Sequence, residues 1–367
     1  MSRIALYARG LSGMGGVKQY IEAMCRALIR AVPETDELHI LHNLDAPLFE
    51  GLGPNVYEAL LKSKKNLICD FIEGPKALRS IAPDAVWYPK YVIPFDVPGR
   101  SICTVHDMAY YMPNLGAYTF GDTLYMRTMI RNSLRRADAV VSVSEHTRRD
   151  ILELLPVNPE KVHVIHEAAD ERYRPLGETE IAAFRLRYDL PERFILFTGG
   201  LSPRKNLLRL FDAYTSLAHK IDHTLVITGG KGWRNKEVLS RLEGRKDIVR
   251  LGFVPDEEMP LLYNAADLFV YPSLYEGFGL PIIEAGKCGT PVVCARGSSL
   301  DEVGGDGVLF VDGKCTQSIA DGIRRVLTDD GLRKKMIRRG RENANRFSWD
   351  TAAKALLGLL KDSSCVP

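Results

Sequence analysis

The residues best suited to chemistry lie in two loops. Residues 271–284 read Tyr-Pro-Ser-Leu-Tyr-Glu-Gly-Phe-Gly-Leu-Pro-Ile-Ile-Glu. Pro281 suits the first position of a helix, where a missing N–H costs nothing. The free N–H groups at such a helix start, with the glycine-flanked backbone before it, can hold an anion. Glu284 is then expected in the first turn, its side chain leaning back toward the helix N-terminus. A carboxylate accepts two hydrogen bonds at once, which suits ribose and sugar hydroxyls. Glu276 lies on the loop side of the same site. Taken alone, these residues fit equally well a capped helix with two solvated acids. Residues 199–206 read Gly-Gly-Leu-Ser-Pro-Arg-Lys-Asn. Adjacent Arg204 and Lys205 there are able to neutralise a diphosphate, although a lone basic pair is more often a solvated turn.

Two further positions carry weaker signals. The loop 10–16, Gly-Leu-Ser-Gly-Met-Gly-Gly, approaches but does not match Gly-x-Gly-x-x-Gly. It also lacks the Gly-Lys-Ser/Thr ending of a P-loop. The amides of Gly15 and Gly16 remain able to approach a phosphate at a helix start, or the turn is merely structural. Val105-His106-Asp107 closes an apolar run, and His106 is a candidate to bond a sugar hydroxyl or support charge at a reacting carbon. A structural histidine is the competing reading. A dehydrogenase is disfavoured by the imperfect fingerprint, and a hydrolase by the absence of Gly-x-Ser-x-Gly. No His-x-x-x-His or Asp-x-Asp spacing suggests a metal.

These loops need elements to hold them, and the chain supplies a regular alternation. Short β-branched runs are expected as strands at Ile4–Ala8, Leu38–His42, Leu67–Phe71, Ala85–Tyr88, Ile102–Val105, Ala139–Val143 and Val162–Ile165. From Val17, apolar residues at Tyr20, Ile21, Met24, Leu28 and Ile29 fit one helix face. After a charged stretch at Asp170–Glu180 the rhythm restarts. Strands are expected at Phe194–Thr198, Thr224–Thr228, Ile248–Leu251, Leu268–Tyr271, Pro291–Ala295 and Val308–Val311, with a helix over Asn206–Leu217. Alternating strands and helices indicate parallel sheets flanked by helices. The reading is therefore α/β, with two doubly wound domains meeting near residue 175. Ligands of such sheets sit beyond the carboxyl ends of the strands, so two facing domains would form a cleft there.

Composition agrees. The chain has 367 residues, 46% hydrophobic and 26% charged, the profile of a soluble globular protein with room for two cores. No apolar run is long enough to span a bilayer. The N-terminus runs straight into a strand pattern, so no secretory leader is expected. Seven scattered cysteines without a Cys-x-x-Cys pair point to reduced thiols and a cytoplasmic setting. A net charge of +3 does not call for nucleic acid.

Taken together, the loops resemble the retaining glycosyltransferases of family 4, the group 1 glycosyltransferases, which have the fold called GT-B. The specific mark is Glu276-x7-Glu284 within Glu-Gly-Phe-Gly-Leu-Pro-Ile-Ile-Glu-Ala. Supporting marks are residues 199–206, Gly-Phe-Val-Pro-Asp at 252–256, Asn-Ala-Ala-Asp at 264–267, Gly-Thr-Pro-Val-Val at 289–293 and Val-His-Asp at 105–107. The resemblance implies two Rossmann-like domains facing a central cleft. Residues 1–172 would form the acceptor domain and 173–345 the donor domain. Residues 346–367 would hold a last helix, Thr351–Leu360, that crosses back to the first domain.

The resemblance also implies roles. Glu284 would bind the donor ribose, and Glu276 the sugar hydroxyls near the reacting carbon. The amides of Gly277, Phe278, Gly279 and Leu280 would hold the sugar and distal phosphate. Arg204 and Lys205 would stabilise the leaving diphosphate, with Gly15 and Gly16 closing on it. Val254 would meet the base through its backbone, and His106 the transferred sugar. Many relatives carry an arginine where this chain has Gly200, and Arg204 would supply that charge instead. Such enzymes need no metal or other cofactor; their donor substrate is a GDP- or UDP-sugar. The implied activity is retaining transfer of mannose or a similar hexose to a saccharide or lipid-linked saccharide, in polysaccharide or O-antigen (lipopolysaccharide) assembly. A sugar-nucleotide epimerase or hydrolase on the same fold is the alternative. Residues 125–136 are basic with an apolar component. They read either as a solvated helix face or as a surface resting peripherally on anionic lipid at the inner face of the membrane.

Overall fold

The structure is a computed structural model that describes residues 1–12, 15–218, 220–230 and 236–362. Gly13 and Met14 of the expected glycine turn, and Cys365, lie outside the described residues. The chain forms two compact units. The first comprises Met1–Tyr111, Phe120–Glu167 and the chain from Ser348 onward. The second comprises Met112–Thr119 and Ala168–Phe347.

The first unit is built on seven strands: β1 Arg3–Tyr7, β2 Glu37–His42, β3 Val56–Leu60, β4 Ala85–Tyr88, β5 Arg100–Val105, β6 Ala139–Ser142 and β7 Val162–Val164. Their order is β3-β2-β1-β4-β5-β6-β7, and every pair is parallel. A parallel sheet is covered on both faces, so its strands are apolar throughout rather than alternating. Thus Ala-Val-Trp-Tyr of β4 and Ala-Val-Val-Ser of β6 are buried at every position. The helix Gly16–Ala31 buries Tyr20, Ile21, Met24, Cys25, Ala27 and Leu28, the face its periodicity indicates. The last helix, Trp349–Lys361, belongs to this unit. Lys361 Nζ meets Asp36 Oδ2 at 2.6 Å, Arg30 meets Asp350 at 2.7 Å, and the Trp349 ring lies edge-on to Tyr20 at 5.6 Å.

Two elements depart from the sequence expectation. Leu67–Phe71 is not a strand: Asn66–Ile68 is helical and Cys69–Glu73 continues as a π-turn. Leu67 and Ile72 point to solvent while Cys69 and Asp70 are buried, a helical rather than an extended partition. Short apolar runs do not distinguish the two. The strand β3 was not expected; it is an edge strand whose Glu-Ala-Leu favours helix, and pairing with β2 overrides that preference.

The second unit carries β8 Phe194–Thr198, β9 Thr224–Thr228, β10 Ile248–Gly252, β11 Leu268–Tyr271, β12 Val292–Ala295 and β13 Leu309–Val311. They run β10-β9-β8-β11-β12-β13, again all parallel. This is the doubly wound dinucleotide-type order, with its switch point between β8 and β11. The Asn-Ala-Ala-Asp motif is structural. Asn264 accepts from Leu176 N at 3.1 Å and donates to Arg174 O at 2.9 Å, tying down the chain that enters the unit. Asp267 accepts from Phe194 N at 2.9 Å at the foot of β8.

Candidate active site

The loops that follow β8 and β11 meet at this switch point. After β8 the chain turns through Gly199, whose φ of 138° is open to glycine, and a short 3-10 turn Pro203–Lys205. Asn206 then takes a left-handed φ of 62° before the helix Leu207–Ser216. Asparagine tolerates that conformation better than most residues. Its buried amide donates to Pro272 O at 3.0 Å and Gly313 O at 2.7 Å, so one side chain joins the loops after β8, β11 and β13. Leu274 N donates to Arg204 O at 2.8 Å across the same seam.

This brings Arg204, Lys205 and Glu276 into one buried group. Arg204 Nη1 donates to Glu276 Oε2 at 2.8 Å and to Tyr275 O at 3.0 Å. Lys205 Nζ donates to Glu276 Oε1 at 2.6 Å and to the Tyr271 hydroxyl, and lies 4.7 Å above the Tyr271 ring. Tyr271 in turn donates to Glu276 Oε1 at 3.0 Å. Lys205 and Glu276 are only 8% and 7% exposed. Burial alone would push the Glu276 carboxyl up, but Arg204 and Lys205 outweigh it and hold it at about 2. Glu276 is therefore ionised at any working pH and is unsuited to donate a proton. Two cations thus face one carboxylate. Their guanidinium and ammonium are the groups a bound diphosphate would meet.

Ser299 Oγ sits 2.9 and 2.8 Å from the carbonyls of Glu276 and Phe278 and fixes the turn between them. Gly279 caps the next helix with φ 107°; a Cβ there would lie 2.5 Å from Leu300 Cδ2. The helix is Leu280–Cys288. Pro281 is thus its second residue and Glu284 its fifth, so Glu284 lies one residue further into the helix than the sequence suggested. Its carboxylate is buried and accepts from Tyr263 Oη at 3.1 Å. Burial, then the Glu284 charge, keeps the Tyr263 and Tyr173 hydroxyls protonated. These tyrosines hold Glu284 in place, and a carboxylate has about four acceptor positions in all. Val254 is buried just past β10. Gly277, Phe278, Gly279 and Leu280 lead directly into the helix start, with the Phe278 ring against Phe347 at 5.5 Å. The helix is backed closely: a Cβ on Gly286 would lie 3.0 Å from Gly340 O.

Nine of the twelve residues singled out from sequence therefore belong to the second unit, and Gly15, Gly16 and His106 to the first. Gly15 caps the helix Gly16–Ala31 with φ 78°, and both glycines are exposed. His106 follows β5 and is buried. Its Nε2 donates to Pro89 O at 2.8 Å, and its Nδ1 lies 3.1 Å from Glu167 Oε1. Tyr20 stacks edge-on at 4.7 Å. Both ring nitrogens are engaged, so a sugar would meet the ring's carbon edge or displace one of these bonds. Sequence reasoning missed Asn206, Tyr271, Tyr263, Tyr173 and Ser299 as supports. Only Asn206 carried a signal, as a left-handed former after a turn. In the 125–136 stretch, Arg136 is structural. It donates to Pro94 O at 2.9 Å and Ile93 O at 2.5 Å and covers the Phe95 ring at 4.5 Å.

The model described as Glycosyl transferases group 1 matches residues 179–343, and that described as Glycosyltransferase Family 4 matches 14–173. The O-antigen chain mannosyltransferase B of Escherichia coli is 34% identical over 280 residues, covering 74% of this chain and 73% of that one. The chain belongs to the group 1, family 4 glycosyltransferases. A second relative of this glycosyltransferase is the serotype-specific mannosyltransferase WbdA of Escherichia coli, 27% identical over 346 residues, 88% of the chain. The glycosyltransferase spans only 42% of the length of WbdA. Among solved structures, the Anabaena protein HepE in complex with UDP and glucose shares the fold. Its TM-score is 0.76 at 18% identity, covering 99% of this chain and 100% of that one. The GT-B fold of paired Rossmann-like units is thereby established. No finding favours an epimerase or a hydrolase.

Proposed function

We propose that this glycosyltransferase moves mannose or a similar hexose from a GDP- or UDP-sugar to a saccharide or lipid-linked saccharide, with retention, in polysaccharide or O-antigen assembly. The observation that carries the reading is the buried Arg204–Lys205–Glu276 group at the β8/β11 switch point, whose Glu276 lies on the loop leading into the helix Leu280–Cys288. Mannose as the sugar rests on the mannosyltransferase names of the two relatives, and the nucleotide on the UDP held by HepE. In this reading the diphosphate sits on Arg204, Lys205 and the amides of Gly279 and Leu280, with Gly15 and Gly16 contributing from the first unit. Glu284 takes the ribose, Val254 meets the base, and Glu276 accepts from sugar hydroxyls alongside Gly277 and Phe278. His106 touches the transferred sugar.

As the bond from the anomeric carbon to the diphosphate breaks, negative charge grows on the leaving phosphate. Arg204, Lys205 and the helix start answer it, the role a metal plays in other transferases. The leaving phosphate oxygen takes the proton of the acceptor hydroxyl as that hydroxyl oxygen bonds the anomeric carbon on the same face, which gives retention. Glu276 is a poor nucleophile, since two cations already hold its oxygens; a glycosyl adduct trapped on Glu276 overturns this route. Residues 1–172 act as the acceptor side and 173–345 as the donor side. Lipid-linked acceptors are met through peripheral contact of residues 125–136 with anionic lipid. Liposome flotation should weaken on charge removal at Arg131 and Arg135, and unchanged flotation removes this contact. No helix among the described residues is long and apolar enough to cross a membrane.

A thermal-shift panel of nucleotide sugars tests the donor reading. The true donor should raise the melting temperature, by roughly 3 kcal/mol of linked stability at a hundredfold excess over its Kd. A panel of GDP- and UDP-sugars that shifts nothing refutes it.

A further inference from the structure

A second group of buried charges lies in the first unit. The strand order reverses between β1 and β4, and in an open parallel sheet that reversal opens a crevice beyond the carboxyl ends. The residues that leave these two strands converge there: Arg9 and Gly10 after β1, Lys90 after β4, beside Tyr7 and Tyr88. The space left among them is about 10 Å³, room for a single water-sized group. Arg9 Nε lies 2.6 Å from Asp70 Oδ1, with side chains 13% and 5% exposed. Tyr7 Oη donates to Cys69 O at 2.8 Å and holds the turn that carries Asp70.

Lys90 is the residue this packing does not explain. No hydrogen bond or ion pair reaches its ammonium among the described residues. Its stem passes over Gly10, where an added Cβ would lie 2.9 Å from Lys90 Cε. Burial, then the neighbouring Arg9 charge, pushes the Lys90 amine down, and Asp70 only partly offsets them. The Lys90 ammonium thus lies in a partly desolvated crevice beside the Arg9–Asp70 pair, where an entering anion would offset its charge.

We propose that Lys90 and Arg9 bind an anionic oxygen group, phosphate or carboxylate, carried by the acceptor, and so select a negatively charged saccharide. The inference rests on the transferase reading above, in which the first unit takes the acceptor. One oxygen of the group enters the crevice between Lys90 and Arg9, and the remainder stays at its mouth. Asp70 fixes the Arg9 guanidinium and lets it meet that oxygen without reorganising.

The test is ligand-detected NMR titration of the full chain with methyl mannoside, mannose 6-phosphate and methyl glucuronide. The charged sugars should bind about tenfold or more tighter than the neutral one, because charge-assisted bonds are about twice as strong as neutral ones. The order of the two charged sugars identifies phosphate or carboxylate. Lys90→Met should erase the preference, whereas Lys90→Arg, with the charge kept, should retain it and show that the crevice folds without lysine. Equal binding of all three sugars, no binding of the charged ones, or a preference that survives Lys90→Met overturns the proposal. The titration reads binding rather than transfer. A chain that releases no nucleotide from any nucleotide sugar would therefore sink the transferase reading and leave this result to stand by itself.

Discussion

Replacing Glu276 with Gln isolates the electrostatics of the donor loops. Glutamine keeps the size and shape of the side chain but removes the charge that faces Arg204 at 2.8 Å and Lys205 at 2.6 Å. Lys205 is 8% exposed, so little solvent reaches it to replace the lost partner. Breaking one side of a buried pair typically costs about 3–5 kcal/mol. The titration of Glu276 gives a second route to the same size. Its carboxyl lies at about 2 instead of the ordinary 4.5, a difference equivalent to roughly 3 kcal/mol. At roughly 2–4 °C per kcal/mol for a unit of this size, Glu276→Gln should melt about 6–20 °C below the parent chain near neutral pH. The sign of the pH dependence follows from the depressed carboxyl. The contribution is fully present above about pH 4.5 and is lost as pH falls toward 2, where the carboxylate is protonated in the folded chain as well. The gap between parent and variant should therefore close on acidification through that window. Added pyrophosphate should rescue neither chain at low pH but should stabilise Glu276→Gln more than the parent near neutrality, where the two cations have lost the Glu276 charge. Calorimetry of the two chains across this pH range decides the matter. A variant that melts within about 2 °C of the parent at neutral pH refutes the buried charge balance.

Three further outcomes follow from the same loops. Lys205→Met should lower transfer by about 10²–10³-fold in single-turnover assays, the effect of losing one preorganised donor to a leaving oxyanion; turnover within a factor of three of the parent removes the role. Gly279→Ala meets both a φ of 107° and Leu300 Cδ2 at 2.5 Å, so urea unfolding should show a loss of about 1–3 kcal/mol. Asn206→Ala strands the carbonyls of Pro272 and Gly313 and should cost about 2–4 kcal/mol, with Asn206→Gly roughly 1 kcal/mol milder because glycine accepts the left-handed φ; equal losses for the two variants would mean the backbone strain is negligible.

The sequence was most legible where burial is complete. Strands such as Phe194–Thr198 and Leu268–Tyr271 are apolar on both faces, and their bounds could be placed from composition alone. The edges were harder. At 67–71 an apolar run proved helical because its large side chains face solvent, and at 56–60 the edge strand was hidden among helix-favouring residues. In the donor loops the charged residues announced themselves by type and spacing. Their partners did not: Tyr271, Tyr263 and Tyr173 are ordinary core aromatics until the fold points their hydroxyls at Glu276 and Glu284. Nor could spacing show that Arg204 and Lys205 share Glu276, since that pairing spans some seventy residues and depends on Asn206 closing the seam. Arg136 is the converse case, a basic residue that looked available and is spent on backbone carbonyls.

The most direct test of the function is nucleoside diphosphate release from GDP-mannose and UDP-hexoses, followed with and without a saccharide acceptor, with the anomeric configuration of the product read by NMR. Release that accelerates with acceptor and yields a product of the donor's own configuration is the expected result. Release indifferent to acceptor, or a product of inverted configuration, would contradict a retaining transferase built on Arg204, Lys205 and Glu276.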